Sequence, residues 1–90
     1  MAAAQTTVDV RIAGYRFDPP TVFIKPGDSV RWTNHEPRTS HSVQFPDENG
    51  LESERLFPEE SWARRFDQPG RYPYQCGPHP EMKGEVLVAE

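Results

Sequence analysis

Ten prolines and six glycines punctuate the 90 residues, and the stretches between them alternate apolar and polar residues without a helical period. Proline inside a helix removes a hydrogen-bond donor and clashes with the preceding turn, so this spacing leaves little except short strands. Val8, Val10 and Ile12 share one parity against Asp9 and Arg11, which predicts a half-buried strand over Thr7 to Ile12. Pro19-Pro20 breaks the next segment. The run from Thr21 to Lys25 is closed by Pro26-Gly27-Asp28, where Pro presets the first turn position and Gly accepts the positive φ of a type II turn. Ser29 to Asn34 places Val30 and Trp32 inward, and His41 to Phe45 repeats the pattern through Val43 and Phe45. Residues 46–60 carry Asp47, Glu48, Glu52, Glu54, Glu59 and Glu60 around Leu51, Leu56 and Phe57, and predict a loop with one helical turn. Trp62, Arg64 and Phe66 share one parity; after the turn signal Gln68-Pro69-Gly70, Tyr72, Tyr74 and Cys76 share another, and Glu85 to Ala89 closes the chain as a strand. The expected architecture is all-β, an antiparallel sandwich or barrel of about seven to eight strands. It forms a single domain over residues 7–90, behind a flexible tail of residues 1–6.

Leu, Ile, Val and Phe together number 17 in 90, a thin supply for a core. Ten aromatics and a net charge of only -4 nevertheless mark a folded domain. Domains this small often need a staple, and a single cysteine excludes a disulfide within the chain, leaving metal or self-association. Fourteen acids against ten bases exclude a nucleic-acid backbone as the natural partner. Apolar runs such as Val22 to Ile24 and Val86 to Ala89 are far shorter than the roughly 18 residues that span a bilayer, so a soluble monomer is expected. Met1 to Gln5 has neither a charged nor an apolar signal region; it fits a frayed terminus or the remnant of a signal peptide cut at a small-residue site.

The chemistry is concentrated in Cys76-Gly77-Pro78-His79-Pro80-Glu81-Met82, a proline-stiffened loop directly after a strand. Thiolate, imidazole and thioether within seven residues form a soft donor set that selects copper over magnesium, calcium or manganese, while zinc has little use for the thioether. A trigonal copper site needs a second imidazole. His41 opens a strand with inward neighbours and is the first choice; His35, in the polar stretch Asn34 to Arg38, is its competitor. A Cys-His nucleophilic pair would lack an orienting third group, a c-type haem would need a second cysteine, and so would a binuclear copper centre. An enzyme is therefore not expected.

Val30-Arg31-Trp32-Thr33-Asn34, His41-Ser42-Val43, Phe66, Gly70 to Gln75 and the loop Cys76 to Gly84 give the chain, from about Thr7 to Glu90, a resemblance to the cupredoxins. Among these small blue copper proteins it is most similar to the amicyanin, plastocyanin and pseudoazurin group. The resemblance implies a Greek-key β-sandwich, one type 1 copper ion with His41, Cys76 and His79 as equatorial ligands and Met82 as the axial one, and single-electron transport by Cu(II)/Cu(I) cycling outside the cytoplasm, in the periplasm. Implied partners are redox proteins such as a c-type cytochrome, a dehydrogenase or an oxidase. An extracytoplasmic copper carrier, or a redox module of a larger oxidase or reductase assembly, is the alternative. Two positions depart from the family pattern: many relatives join Asn after the first His to Ser or Thr after the Cys, whereas Ser42 and Gly77 stand here. A looser link between the ligand loops is the expectation. Glu81 also places a charge where similar proteins are apolar.

Overall fold

The computed structural model describes residues 5–90. Residues 1–4 of the expected tail lie outside the described residues; Thr6 is hydrogen-bonded, its carbonyl to Ser29 N–H at 2.9 Å and its N–H to Asp28 Oδ1 at 3.0 Å. Nine strands are present among the described residues: β1 (Thr7–Ala13), β2 (Arg16–Asp18), β3 (Thr21–Ile24), β4 (Ser29–Asn34), β5 (Gln44–Phe45), β6 (Leu51–Glu52), β7 (Ser61–Arg65), β8 (Gly70–Gln75) and β9 (Lys83–Val88). A single 3-10 turn occupies Pro46–Glu48, in the segment that predicts a helical turn. One sheet has the order β2-β1-β4-β7 and the other β3-β9-β8-β5-β6. The pairs β1·β4 and β3·β9 are parallel, which requires the chain to cross between the layers, and the result is the Greek-key sandwich.

The turn at Pro26-Gly27 forms as predicted: Asp28 N–H reaches Lys25 O at 3.0 Å and Gly27 takes φ +97°. Asp28 accepts the backbone N–H groups of Thr6 and Lys25, and these two bonds hold its carboxyl below the usual carboxylate range. The expected strand from His41 to Phe45 is shorter than its alternation implies. Only Gln44 and Phe45 pair with β6 and β8, because Val43 turns its N–H to Ser53 Oγ at 3.0 Å and its carbonyl to Ser53 N–H at 2.8 Å. The short strands β2 and β6 carry too few residues for their periodicity to be legible.

Aromatic rings fill the core that aliphatic residues alone would leave thin. Phe17, Trp32, Phe45, Phe66 and Tyr74 are all buried, with Tyr74 4.8 Å from Phe17, 5.2 Å from Trp32 and 5.7 Å from Phe45 between ring centroids. Arg64 closes one margin, its guanidinium 4.5 Å from both the Phe45 and Phe66 rings and forked onto Glu48 at 2.7 and 2.8 Å. That fork holds the Glu48 carboxyl below its ordinary range.

Candidate metal centre

Asn34, at the end of β4 and fully buried, organises the approach to the site. Its Nδ2 donates to Thr39 O at 2.7 Å and Leu56 O at 2.9 Å, and its Oδ1 accepts Glu36 N–H at 2.8 Å. The chain thus returns so that His41 and Leu56 form a two-bond antiparallel bridge. On the opposite sheet β8 ends at Gln75 and delivers Cys76 into the interior, fully buried. The loop closes on itself: Cys76 N–H donates to Met82 O at 3.0 Å and Met82 N–H to His79 O at 2.9 Å, before β9 begins at Lys83. Met82 is buried at 2 % exposure, His79 is half-buried, and Pro78, Pro80 and Glu81 are exposed.

Three donor atoms converge. Cys76 Sγ lies 3.5 Å from His41 Nδ1 and 3.6 Å from His79 Nδ1, and the three residues bring one ligand atom each to within 4.8 Å of one another. Two donors bound at about 2.0 and 2.3 Å to one ion, at a near-tetrahedral angle, stand about 3.6 Å apart, so the cluster has the size that a single ion requires. His41 turns Nδ1 inward, and its Nε2 has no hydrogen-bond partner and faces Glu36 Oε1 at 3.9 Å. Burial pushes the His41 imidazole below its ordinary value, the neighbouring His79 adds to that, and Glu36 opposes it. Burial pushes the Cys76 thiol up, against the Ser42 N–H that points at Sγ from 3.5 Å. His35 is elsewhere: exposed, with Nδ1 3.7 Å from Glu59 Oε2.

The family model of copper binding proteins of the plastocyanin/azurin family matches residues 4–89. The chain belongs to that family. It is 40% identical over 86 residues to amicyanin-alpha of Methylorubrum extorquens, covering 91% of this chain and 71% of the relative, and 34% identical over 89 residues to amicyanin of Paracoccus denitrificans, covering 94% and 67%. Plastocyanin of Tetradesmus obliquus is 38% identical over 84 residues, covering 80% of this chain and 57% of the relative. A solved Cu(I) amicyanin variant superposes with a TM-score of 0.85 at 32% identity, covering 91% of this chain and 81% of that one. Two imidazoles, a thiol and a neighbouring thioether are the soft set that copper prefers, and copper is the cofactor of this family.

Two features of the site were not legible in the sequence. Gly14 and Tyr15 form a two-residue hairpin turn with φ +59° and +55° between β1 and β2, the type I′ geometry, which sets the exposed Tyr15 ring 5.3 Å from His79 and 5.7 Å from His41. Tyr15 N–H donates to Glu36 Oε1 at 2.7 Å, so the same carboxylate faces His41 and anchors this turn. The positive φ at a residue as large as Tyr15 leaves no mark in composition or alternation. The second feature corrects the looser link implied by Ser42 and Gly77: Gly77 N–H donates to Ser42 Oγ at 3.0 Å, so the two ligand loops are tied without the family's usual pair.

Proposed function

We propose that this chain carries single electrons as a type 1 copper protein, with His41 Nδ1, Cys76 Sγ and His79 Nδ1 as equatorial donors and Met82 as the axial one. The observation that carries the reading is the convergence of two imidazole nitrogens on one sulfur at 3.5 and 3.6 Å. When bound, copper supplies a one-electron Cu(II)/Cu(I) couple. The protein's part is to keep one geometry for both charges. The His41–Leu56 bridge and the closed Cys76–Met82 loop hold backbone on both sides of the site. Burial of Cys76, His41 and Met82 keeps water from the donors.

His79 is the half-buried member of the set, ringed by exposed Pro78 and Pro80 and by Tyr15, and its edge is the route by which an electron enters or leaves. Partners are redox proteins such as a c-type cytochrome, a dehydrogenase or an oxidase, met outside the cytoplasm, in the periplasm. The protein acts as a carrier and not as an enzyme, within one domain over residues 7–90. Half of the acids in residues 46–60 have structural work: Glu48 with Arg64, Glu52 with Ser42, and Glu60 with Phe57 N–H. Asp47 and Glu54 remain to steer a basic partner, while Glu59 faces His35 at 3.7 Å.

The test is the visible spectrum and electron self-exchange of the copper-loaded protein. An intense thiolate-to-copper band with retained copper and fast self-exchange is the expected result. A weak band would remove the assignment of Cys76, and rapid metal exchange in either oxidation state would favour a copper carrier.

A further inference from the structure

Glu52 lies on β6, outside the ligand loops and ten residues beyond Ser42, yet its carboxylate reaches the Ser42 hydroxyl next to His41. Ser42 Oγ is 2.6 Å from Glu52 Oε2 and accepts the Gly77 N–H at 3.0 Å. An amide can only donate in that bond, so the single hydroxyl proton of Ser42 must point at the carboxylate, a short charge-assisted bond. The other oxygen, Oε1, accepts Gln44 Nε2 at 3.4 Å, and Gln44 Oε1 in turn accepts Gln75 Nε2 at 3.0 Å. The carboxylate is thereby linked to the residues on both sides of Cys76, to Gly77 through Ser42 and to Gln75 through Gln44. Gly77 makes this possible. A Cβ at Gly77 would overlap the Glu52 carboxylate and stand 2.7 Å from Ser42 Oγ, so any side chain after the cysteine would push this carboxylate and hydroxyl aside.

We propose that Glu52 is a positioning residue of the metal centre: it orients Ser42 so that one hydroxyl ties the His41 loop to the Cys76 loop, and its negative charge, two hydrogen bonds from the Cys76 loop, lowers the reduction potential. The inference rests on the type 1 copper reading. A fixed negative charge favours the more positive metal state, Cu(II), and so opposes reduction. Ser42 N–H bonds Sγ directly at 3.5 Å, so movement of Ser42 is felt at the thiolate.

The experiment compares copper-loaded wild type, Glu52→Gln, Glu52→Ala and the control Glu54→Gln. It measures the reduction potential by voltammetry and the exchange of the Gly77 amide hydrogen by NMR on the diamagnetic Cu(I) form. Glu52→Gln keeps an acceptor for Ser42 but loses the charge; a raised potential with Gly77 exchange unchanged is expected. Glu52→Ala should raise the potential and speed that exchange about fivefold, as loss of a hydrogen bond of about 1 kcal/mol implies. If Glu52→Ala does not fold, Ser42→Ala carries the exchange measurement. Gly77→Ala displaces the carboxylate by overlap and should raise the potential in wild type, and by less in the Glu52→Ala background, where only the 2.7 Å approach to Ser42 Oγ is left. An unmoved potential in Glu52→Gln, or an equal rise in Glu54→Gln, overturns the proposal while a wild-type thiolate-to-copper band still stands. Absence of that band in wild type overturns the copper reading itself and this inference with it.

Discussion

His41 and Leu56 exchange two backbone hydrogen bonds, His41 N–H to Leu56 O at 3.1 Å and Leu56 N–H to His41 O at 2.7 Å, outside every strand of the fold. The buried imidazole is therefore aimed by its backbone, because its own Nε2 bonds nothing. Asn34 steadies the same Leu56 carbonyl from the end of β4. The separation of His41 from His35 follows from this bridge: six residues earlier the chain is still on the surface, beside Glu59.

His41→Ala is expected to bleach the thiolate-to-copper band, and His35→Ala to leave it at wild-type intensity. Absorption spectra of the two copper-loaded variants decide the point. The reverse pattern would show that the upstream ligand is His35.

Gly84→Ala is expected to destabilise the protein by about 1 to 3 kcal/mol, the usual cost of overpacking a filled interior. A Cβ there would lie 2.6 Å from Tyr74 Cζ and 2.6 Å from its hydroxyl oxygen. Tyr74 is 2 % exposed and wedged among Phe17, Trp32 and Phe45, so it has nowhere to turn. Calorimetry should show a Tm lower by roughly 5 to 20 °C for a chain of this size. A fall below about 0.5 kcal/mol would mean that the ring can step aside.

Local chemistry was legible in the sequence wherever a single segment carries it. Parity along Thr7 to Ile12 and Ser29 to Asn34, the turn at Pro26-Gly27, and the order of Cys76, His79 and Met82 each lie within one short stretch. Relationships set by pairing between distant segments were not. Ser42 meets Glu52 and Gly77, ten and 35 residues away, through a register that no alternation encodes. Val43 leaves the expected strand because Ser53 offers its backbone a competing pair of bonds. His41 stands ahead of His35 on its inward neighbours Val43 and Phe45, but the bridge to Leu56 that buries it has no signature within residues 35–41.

Met82→Leu is expected to raise the reduction potential and keep the blue colour. A weak axial thioether donates to the metal and favours Cu(II), whereas Leu fills a similar buried volume without donating. Voltammetry together with the absorption spectrum checks both halves. A lowered potential would contradict the axial assignment of Met82.

Burial first, and then His79, holds the His41 imidazole below its ordinary 6.5, so the folded chain resists a proton that the unfolded chain accepts. That contribution to stability is full above about pH 6.5 and is lost as pH falls toward the depressed folded value. Cys76 has the opposite sign. Burial raises its thiol above the ordinary 9.0, so the folded chain keeps a proton that the unfolded chain has released; this contribution is present below about pH 9 and is lost as pH rises toward the raised value. The metal-free protein should therefore be most stable between about pH 6.5 and 9, with an acid limb owed to His41 and an alkaline limb owed to Cys76. His41→Gln should flatten the first limb and Cys76→Ser the second, each leaving the other in place. At pH 7 copper should raise the Tm, because an ion bound by the native donors and poorly by the unfolded chain adds RT ln(1 + [L]/Kd). That increment should shrink in acid as protons compete for the imidazoles. Thermal melts of the metal-free and copper-loaded protein from about pH 5 to about pH 10 test this, spanning the ordinary His and Cys values; a metal-free Tm independent of pH across that range would show that neither donor is buried in the way that the site requires.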